Sequence, residues 1–149
     1  MRLILAILVL SACGRVDRAC SLPVRVAPEP ALLRATQEAI KRFEDEYFEI
    51  ANTGYKITLV PDLVHPDTGE DVAGLAYHSH DVSGCLYEGK ILVELNHVGL
   101  VAHELGHLLA LKDIYDEEME HCLMYAKVGL GKQLCDESKK VLDKKYNLD

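Results

Sequence analysis

One stretch leaves this chain little freedom: Val101-Ala102-His103-Glu104-Leu105-Gly106-His107-Leu108-Leu109-Ala110-Leu111-Lys112-Asp113. His103 and His107 stand four residues apart, with Glu104 between them. Such a pair can act together when the segment is helical, because a helix sets positions i and i+4 on one face, about one turn apart. Two imidazole nitrogens so placed can share one tetrahedral Zn2+. Glu104 lies roughly 100° around the helix from His103. That is too far round for a third ligand beside the histidines, but within reach of a water at the metal. The neighbours agree with a helix. Val98, Val101, Ala102, Leu105, Leu108 and Leu109 fall on the side away from the histidines, giving one buried stripe and one chemical face. Gly99, Gly106 and Ala110 flank the ligand face with small residues. Asn96 is the expected N-cap.

Three features follow this helix. Asp113 comes six residues after His107, Cys122-Leu123-Met124-Tyr125 comes soon after, and Asp136 to Tyr146 reads as a helix with an acidic start and a terminal Tyr. Together they resemble the metzincins, whose extended motif is H-E-x-x-H-x-x-G-x-x-H followed by a Met-turn. Ala110 stands where that pattern has Gly. Asp113 stands where it has the last His, a replacement found in some bacterial members. The Leu-Met-Tyr and the last helix are similar to those of the matrixin branch. The resemblance is specific over Val101 to Tyr125 and weaker over Asp136 to Tyr146. It implies Asp113 as the third ligand, with Asp116 and His121 as alternatives further down the chain. It also implies that Met124 forms an apolar floor under the metal without coordinating it. The family's Gly lets the chain leave the helix with positive φ, where Ala costs about 1 kcal/mol or more. The exit turn is therefore where this chain departs from the pattern.

At the N-terminus, Met1-Arg2 is a short basic region and Leu3 to Leu10 an apolar run. Eight apolar residues are too few for a membrane-spanning helix but fit a secretory signal. Leu10-Ser11-Ala12-Cys13 resembles a bacterial lipobox. That implies a signal peptide over residues 1–12, lipid on Cys13, a tether over 13–21 and one domain over 22–149. Gly14 resembles outer-membrane sorting in a Gram-negative host, so the expected location is exported and lipid-anchored to a bacterial membrane. Loss of Arg2 takes the formal charge from −8 to −9. An acidic surface argues against nucleic acid and against direct adhesion to anionic headgroups. Membrane contact is expected through the lipid only, and the domain is expected to be monomeric.

Besides Cys13 there are four cysteines, Cys20, Cys85, Cys122 and Cys135. An even number in an exported chain suggests two disulfides. Of three possible pairings, Cys122 with Cys135 would brace the Met-turn against the last helix. Arg18 to Pro23 faintly resembles the inhibitory cysteine-switch segment of matrixin propeptides, but a disulfide is the expected role for Cys20.

The rest of the chain reads as follows. Leu22 to Val26 is a strand, ended by Pro28 and Pro30. Leu33, Thr36, Ile40, Phe43, Tyr47 and Ile50 recur at helical spacing up to the stop at Asn52-Thr53-Gly54. Tyr55 to Val60 alternates as a strand. Strand, helix, strand suggests a parallel pair with a right-handed crossover. Pro61 to Ala73 is loop. Gly74 to His78 and Lys90 to Leu95 are two further strands, and the first resembles the matrixin edge strand. A peptide would pair with it by β-augmentation. His78 and His80 alternate onto one side of that strand. Either they hold a second, structural metal as in matrixins or they are exposed loop histidines; no accompanying ligands are recognisable.

The expectation is an α+β chain of metzincin-like zincin fold. It has a twisted mixed β-sheet with two long helices and a small C-terminal subdomain with the Met-turn and last helix. The resemblance implies one catalytic Zn2+ on His103, His107 and Asp113, with Glu104 as general base, in a zinc endopeptidase acting on peptides or proteins. Two other readings use the same residues. A zinc-containing binding lipoprotein of the same fold would not cleave. A structural zinc site would be closed by a fourth protein ligand such as His121.

Overall fold

The computed structural model describes residues 20–127 and 133–146. The expected signal peptide, Cys13 and most of the tether lie outside the described residues. The described chain is α+β, with one five-stranded sheet and three α-helices. The strands are β1 (Val24–Pro28), β2 (Phe48–Ile50), β3 (Tyr55–Leu59), β4 (Gly74–His80) and β5 (Leu86–Val93). The helices are α1 (Leu33–Lys41), α2 (Val98–Leu108) and α3 (Asp136–Tyr146). The sheet order is β2-β1-β3-β5-β4, parallel except for β4, which runs antiparallel to β5 at one edge.

Alternation along the strands makes this a two-layer structure. Val24, Val26, Ile57, Ile91 and Val93 are buried toward α1 and α2, which pack on each other and on the sheet. The opposite face is largely solvated. It carries the Arg25–Glu49 pair at 2.6 Å and Lys90 lying over the Tyr77 ring. Matched apolar residues on neighbouring strands, such as Ile57 opposite Ile91, hold the register, since a one-residue slip would turn them to water.

The helix expected from Leu33 to Ile50 is shorter. It ends at Lys41, and Glu44 and Asp45 turn the chain at φ 60 and 56. Phe48–Ile50 then pairs with β1 as an edge strand. The apolar period recorded burial only in its middle: Leu33 and Ile50 are exposed, while Phe43, Tyr47 and the neighbouring Phe48 are buried. Their rings meet edge-on, Phe43 to Phe48 at 5.1 Å and Tyr47 to Tyr146 of α3 at 6.2 Å. The pairing of β1 overrode the local helical spacing.

Three further expectations change. The cap of α2 is His97, whose Nδ1 accepts from the Leu100 amide at 3.3 Å. Asn96 instead donates to the Ala31 carbonyl at 2.8 Å, tying the entry of α2 to the turn before α1. Helix α2 does not have one buried stripe and one open face; it is buried almost all round, His103 and Glu104 included. The cysteines also differ. Cys20 is bonded to Cys85, joining the chain before β1 to the β4–β5 connection. The expected Cys122–Cys135 bridge is not formed, and both are buried free thiols. Cys135 Sγ meets Ser138 Oγ at 3.5 Å and Cys122 Sγ meets His121 Nε2 at 3.7 Å.

Candidate metal centre

Helix α2 carries His103 and His107 one turn apart, with ring centroids 4.9 Å apart. The helix then stops in a Schellman turn. Leu111 N donates to Gly106 O and Ala110 N to His107 O, and Ala110 takes the left-handed conformation at φ 63. Ala110 therefore performs the turn that glycine usually performs. The turn reverses the chain and returns Asp113 to the histidines. Asp113 Oδ1 lies 3.0 Å from His103 Nε2 and 3.5 Å from His107 Nε2.

Each imidazole is oriented from behind. His107 Nδ1 lies 2.9 Å from the Leu111 carbonyl and His103 Nδ1 lies 3.1 Å from the Leu123 carbonyl. A carbonyl only accepts, so both Nδ1 atoms carry a proton and donate it. In the neutral rings both Nε2 lone pairs then face Asp113 Oδ1. Either a proton on an Nε2 or a metal ion among the three atoms offsets this juxtaposition. Bonds of about 2.0–2.1 Å at tetrahedral angles put ligand atoms about 3.3 Å apart, which matches the two separations. Among the described residues, His103, His107 and Asp113 form the one group of three His, Cys, Asp or Glu residues whose ligand atoms lie within 4.8 Å of one another. By the chemistry of its donors, the set could hold one metal ion.

With a proton on Nε2 instead, the imidazoles donate to Asp113. Hydrogen bonds from His103 and then His107 hold the Asp113 carboxyl far below its usual range. Burial alone would depress His107, but the bonds to Asp113 and to the Leu111 carbonyl outweigh it and raise the imidazole. Glu104, 4% exposed, has its carboxyl pKa raised by burial, with His107 and His103 opposing.

Below the site, Met124 is fully buried against Gly106. A Cβ at position 106 would strike the Met124 sulfur and come within 3.1 Å of its Cε. Met124 O accepts from Ile114 N at 2.8 Å and Ala126 N donates to Ile114 O at 2.9 Å. The turn at Met124 is thus laced to the segment carrying Asp113, and its Leu123 carbonyl orients His103. Asp116 and His121 do not join this group. Asp116 caps the Glu118 amide at 3.0 Å, and His121 turns to Cys122.

A cleft of about 490 Å3 opens over the centre. Its lining includes Gly74, Leu75 and Ala76 of the edge strand, Ala126 on the Met124 side, and His103, Glu104, His107 and Asp113. A Cβ at position 74 would sit 2.8 Å from Glu104 Cδ, so any larger residue there would displace the Glu104 side chain. A larger hollow of about 570 Å3 lies by the Cys20–Cys85 bridge and contains none of these residues.

Sequence reasoning missed His65 and the role of Gly74. The loop over Pro61–Ala73 is ordered by a Val64–Asp71 bridge and brings His65 into the cleft. No local pattern announces this, since the contact is made across the fold. His78 also lines the cleft, and no third metal-ligating residue joins it and His80 among the described residues. Compared with the models of known protein families and with curated proteins, the chain matches none.

Proposed function

We propose that this protein is a zinc-dependent endopeptidase of metzincin type. The observation that carries the reading is the convergence of His103 Nε2, His107 Nε2 and Asp113 Oδ1 in one open cleft beside a buried glutamate. The exit turn at Ala110 and the apolar Met124 beneath Gly106 support it further. A Zn2+ held by these three residues supplies a Lewis acid that polarises a carbonyl oxygen and acidifies water.

The chain's own residues do the rest. Strand β4 lies at the sheet edge, so its outer backbone groups can pair with an extended peptide. That pairing would lay the scissile bond along the cleft. The Glu104 carboxylate takes a proton from the attacking water and passes it to the leaving amine. Burial raises its pKa, which makes it a better base and keeps the protonated form accessible for the return step. The Leu111 and Leu123 carbonyls hold the imidazoles so that Nε2 stays directed at the centre.

Glu104→Ala tests this reading. The variant should fold and retain zinc while peptide-library cleavage falls by about 100-fold or more. Retained turnover would remove Glu104 as the base. Zinc binding by the wild type without cleavage of any peptide would make it a binding protein instead.

A further inference from the structure

The cleft holds two histidines outside the ligand set, His65 and His78. The protonation of His78 can be read from its partners. His80 Nε2 lies 3.2 Å from the Leu108 carbonyl, which only accepts, so His80 Nε2 carries a proton. In the neutral ring His80 Nδ1 is then an acceptor. His78 Nδ1 lies 3.3 Å from it and must be the donor. The remaining nitrogen of His78, Nε2, keeps its lone pair. His78 is exposed on the strand beside the centre, so this lone pair is available to a bound molecule. Burial, and then each other's proximity for His78, lowers both rings and favours the neutral pair. For His65 the pattern is reversed. Its Nδ1 accepts from the Asp67 and Thr68 amides at 3.2 and 3.3 Å, so its Nε2 carries the proton in the neutral ring.

Resting on the peptidase reading, we propose that His78 is a specificity-determining residue: its Nε2 accepts a hydrogen bond from a donor-bearing side chain of the peptide. The substrate class is an extended peptide with a hydroxyl or amide side chain at the residue that crosses His78. The two-histidine relay to the Leu108 carbonyl keeps the ring turned and its tautomer set. His65, presenting the opposite polarity from the loop, serves an acceptor such as a main-chain carbonyl. Leu108 is the last residue of α2, so the relay ties the specificity residue to the helix that carries the ligands. A site arranged to accept a hydrogen bond discriminates against an isostere that lacks the donor.

Threonine and valine are near-isosteres that differ in that donor. The experiment compares the zinc-loaded wild type with His78→Phe and His78→Gln on a peptide library exchanging Thr and Val at each position. Glu104→Gln, with and without His78→Phe, is titrated with the same peptides for equilibrium binding. Wild type should show a Thr over Val preference in kcat/KM of about 5- to 10-fold at one position, the factor for one net hydrogen bond. His78→Gln, which keeps an acceptor, should retain the preference and His78→Phe should abolish it. Binding to Glu104→Gln should show the same preference, lost on adding His78→Phe. Cleavage with no preference, or a preference that survives in His78→Phe, overturns the role of His78 and leaves the peptidase reading standing. A His78-dependent binding preference without cleavage by wild type upholds His78 and overturns the peptidase. Neither cleavage nor binding overturns both.

Discussion

Ala110 is the residue at which the chain departs from glycine at a position whose geometry favours glycine. Its φ of 63 is strained for a residue with a Cβ, by about 1–2 kcal/mol, part of which glycine gives back through its freer unfolded chain. Ala110→Gly should therefore stabilise the protein by about 0.5–1 kcal/mol. Thermal melting should show a midpoint a few degrees higher, and a lowered midpoint would mean that the turn is not strained. The histidine pair was legible from the sequence because its logic is local, two histidines one turn apart on one helix. The capping His97 was not, because Asn96 is the better local cap and is drawn away to Ala31. Gly74 and His65 were illegible for the same reason: each is defined by a partner that the fold supplies, Glu104 in one case and the cleft in the other.

Among the elements, α2 and α3 were readable and α1 was only half readable. The acidic start and basic end of α3 suit its dipole, and Leu142 and Tyr146 bury one side. In α1 the apolar spacing ran on into residues that serve a turn and β2, so periodicity marked burial from Thr36 to Tyr47 but not at Leu33 or Ile50, and it marked secondary structure wrongly after Lys41. The contact between the Met124 segment and α3 was expected to be a disulfide. Instead, Cys122 and Cys135 are thiols, and burial pushes Cys122 up to about 12, with Cys135 adding to it. So little thiolate at neutral pH leaves Cys122 unreactive, and burial shields Cys135 from reagents. In Cys13→Ser protein, alkylation followed by mass spectrometry should label neither thiol in the native state and both after unfolding. Rapid native labelling would contradict their burial, and no labelling after unfolding would mean that the second bridge had closed.

At the scale of the whole molecule, the sheet, two packed helices and the C-terminal segment converge on one centre, and the chain carries a formal charge of −8. Among the described residues no helix is long and apolar enough to cross a membrane. The lipobox resemblance implies membrane attachment through Cys13, which lies outside the described residues. Blocking lipoprotein processing with globomycin, or Cys13→Ser, should move the protein from the membrane fraction to a soluble exported form. An unchanged distribution would remove the anchor. The α+β layout follows from the alternation of strands and amphipathic helices. The cleft does not, because it is assembled from an edge strand, a loop, a helix and a turn far apart in the chain.

The centre itself is tested most directly by zinc affinity, measured by competition with a chromophoric chelator on wild type, Asp113→Ala, Asp116→Ala and His121→Ala. Wild type should bind one zinc. Asp113→Ala should lose at least about 100-fold in affinity, because two histidines remain. Asp116→Ala and His121→Ala should bind as wild type does, since neither side chain meets the group. Wild-type affinity in Asp113→Ala, or a loss in either of the other two, would contradict the three-residue centre.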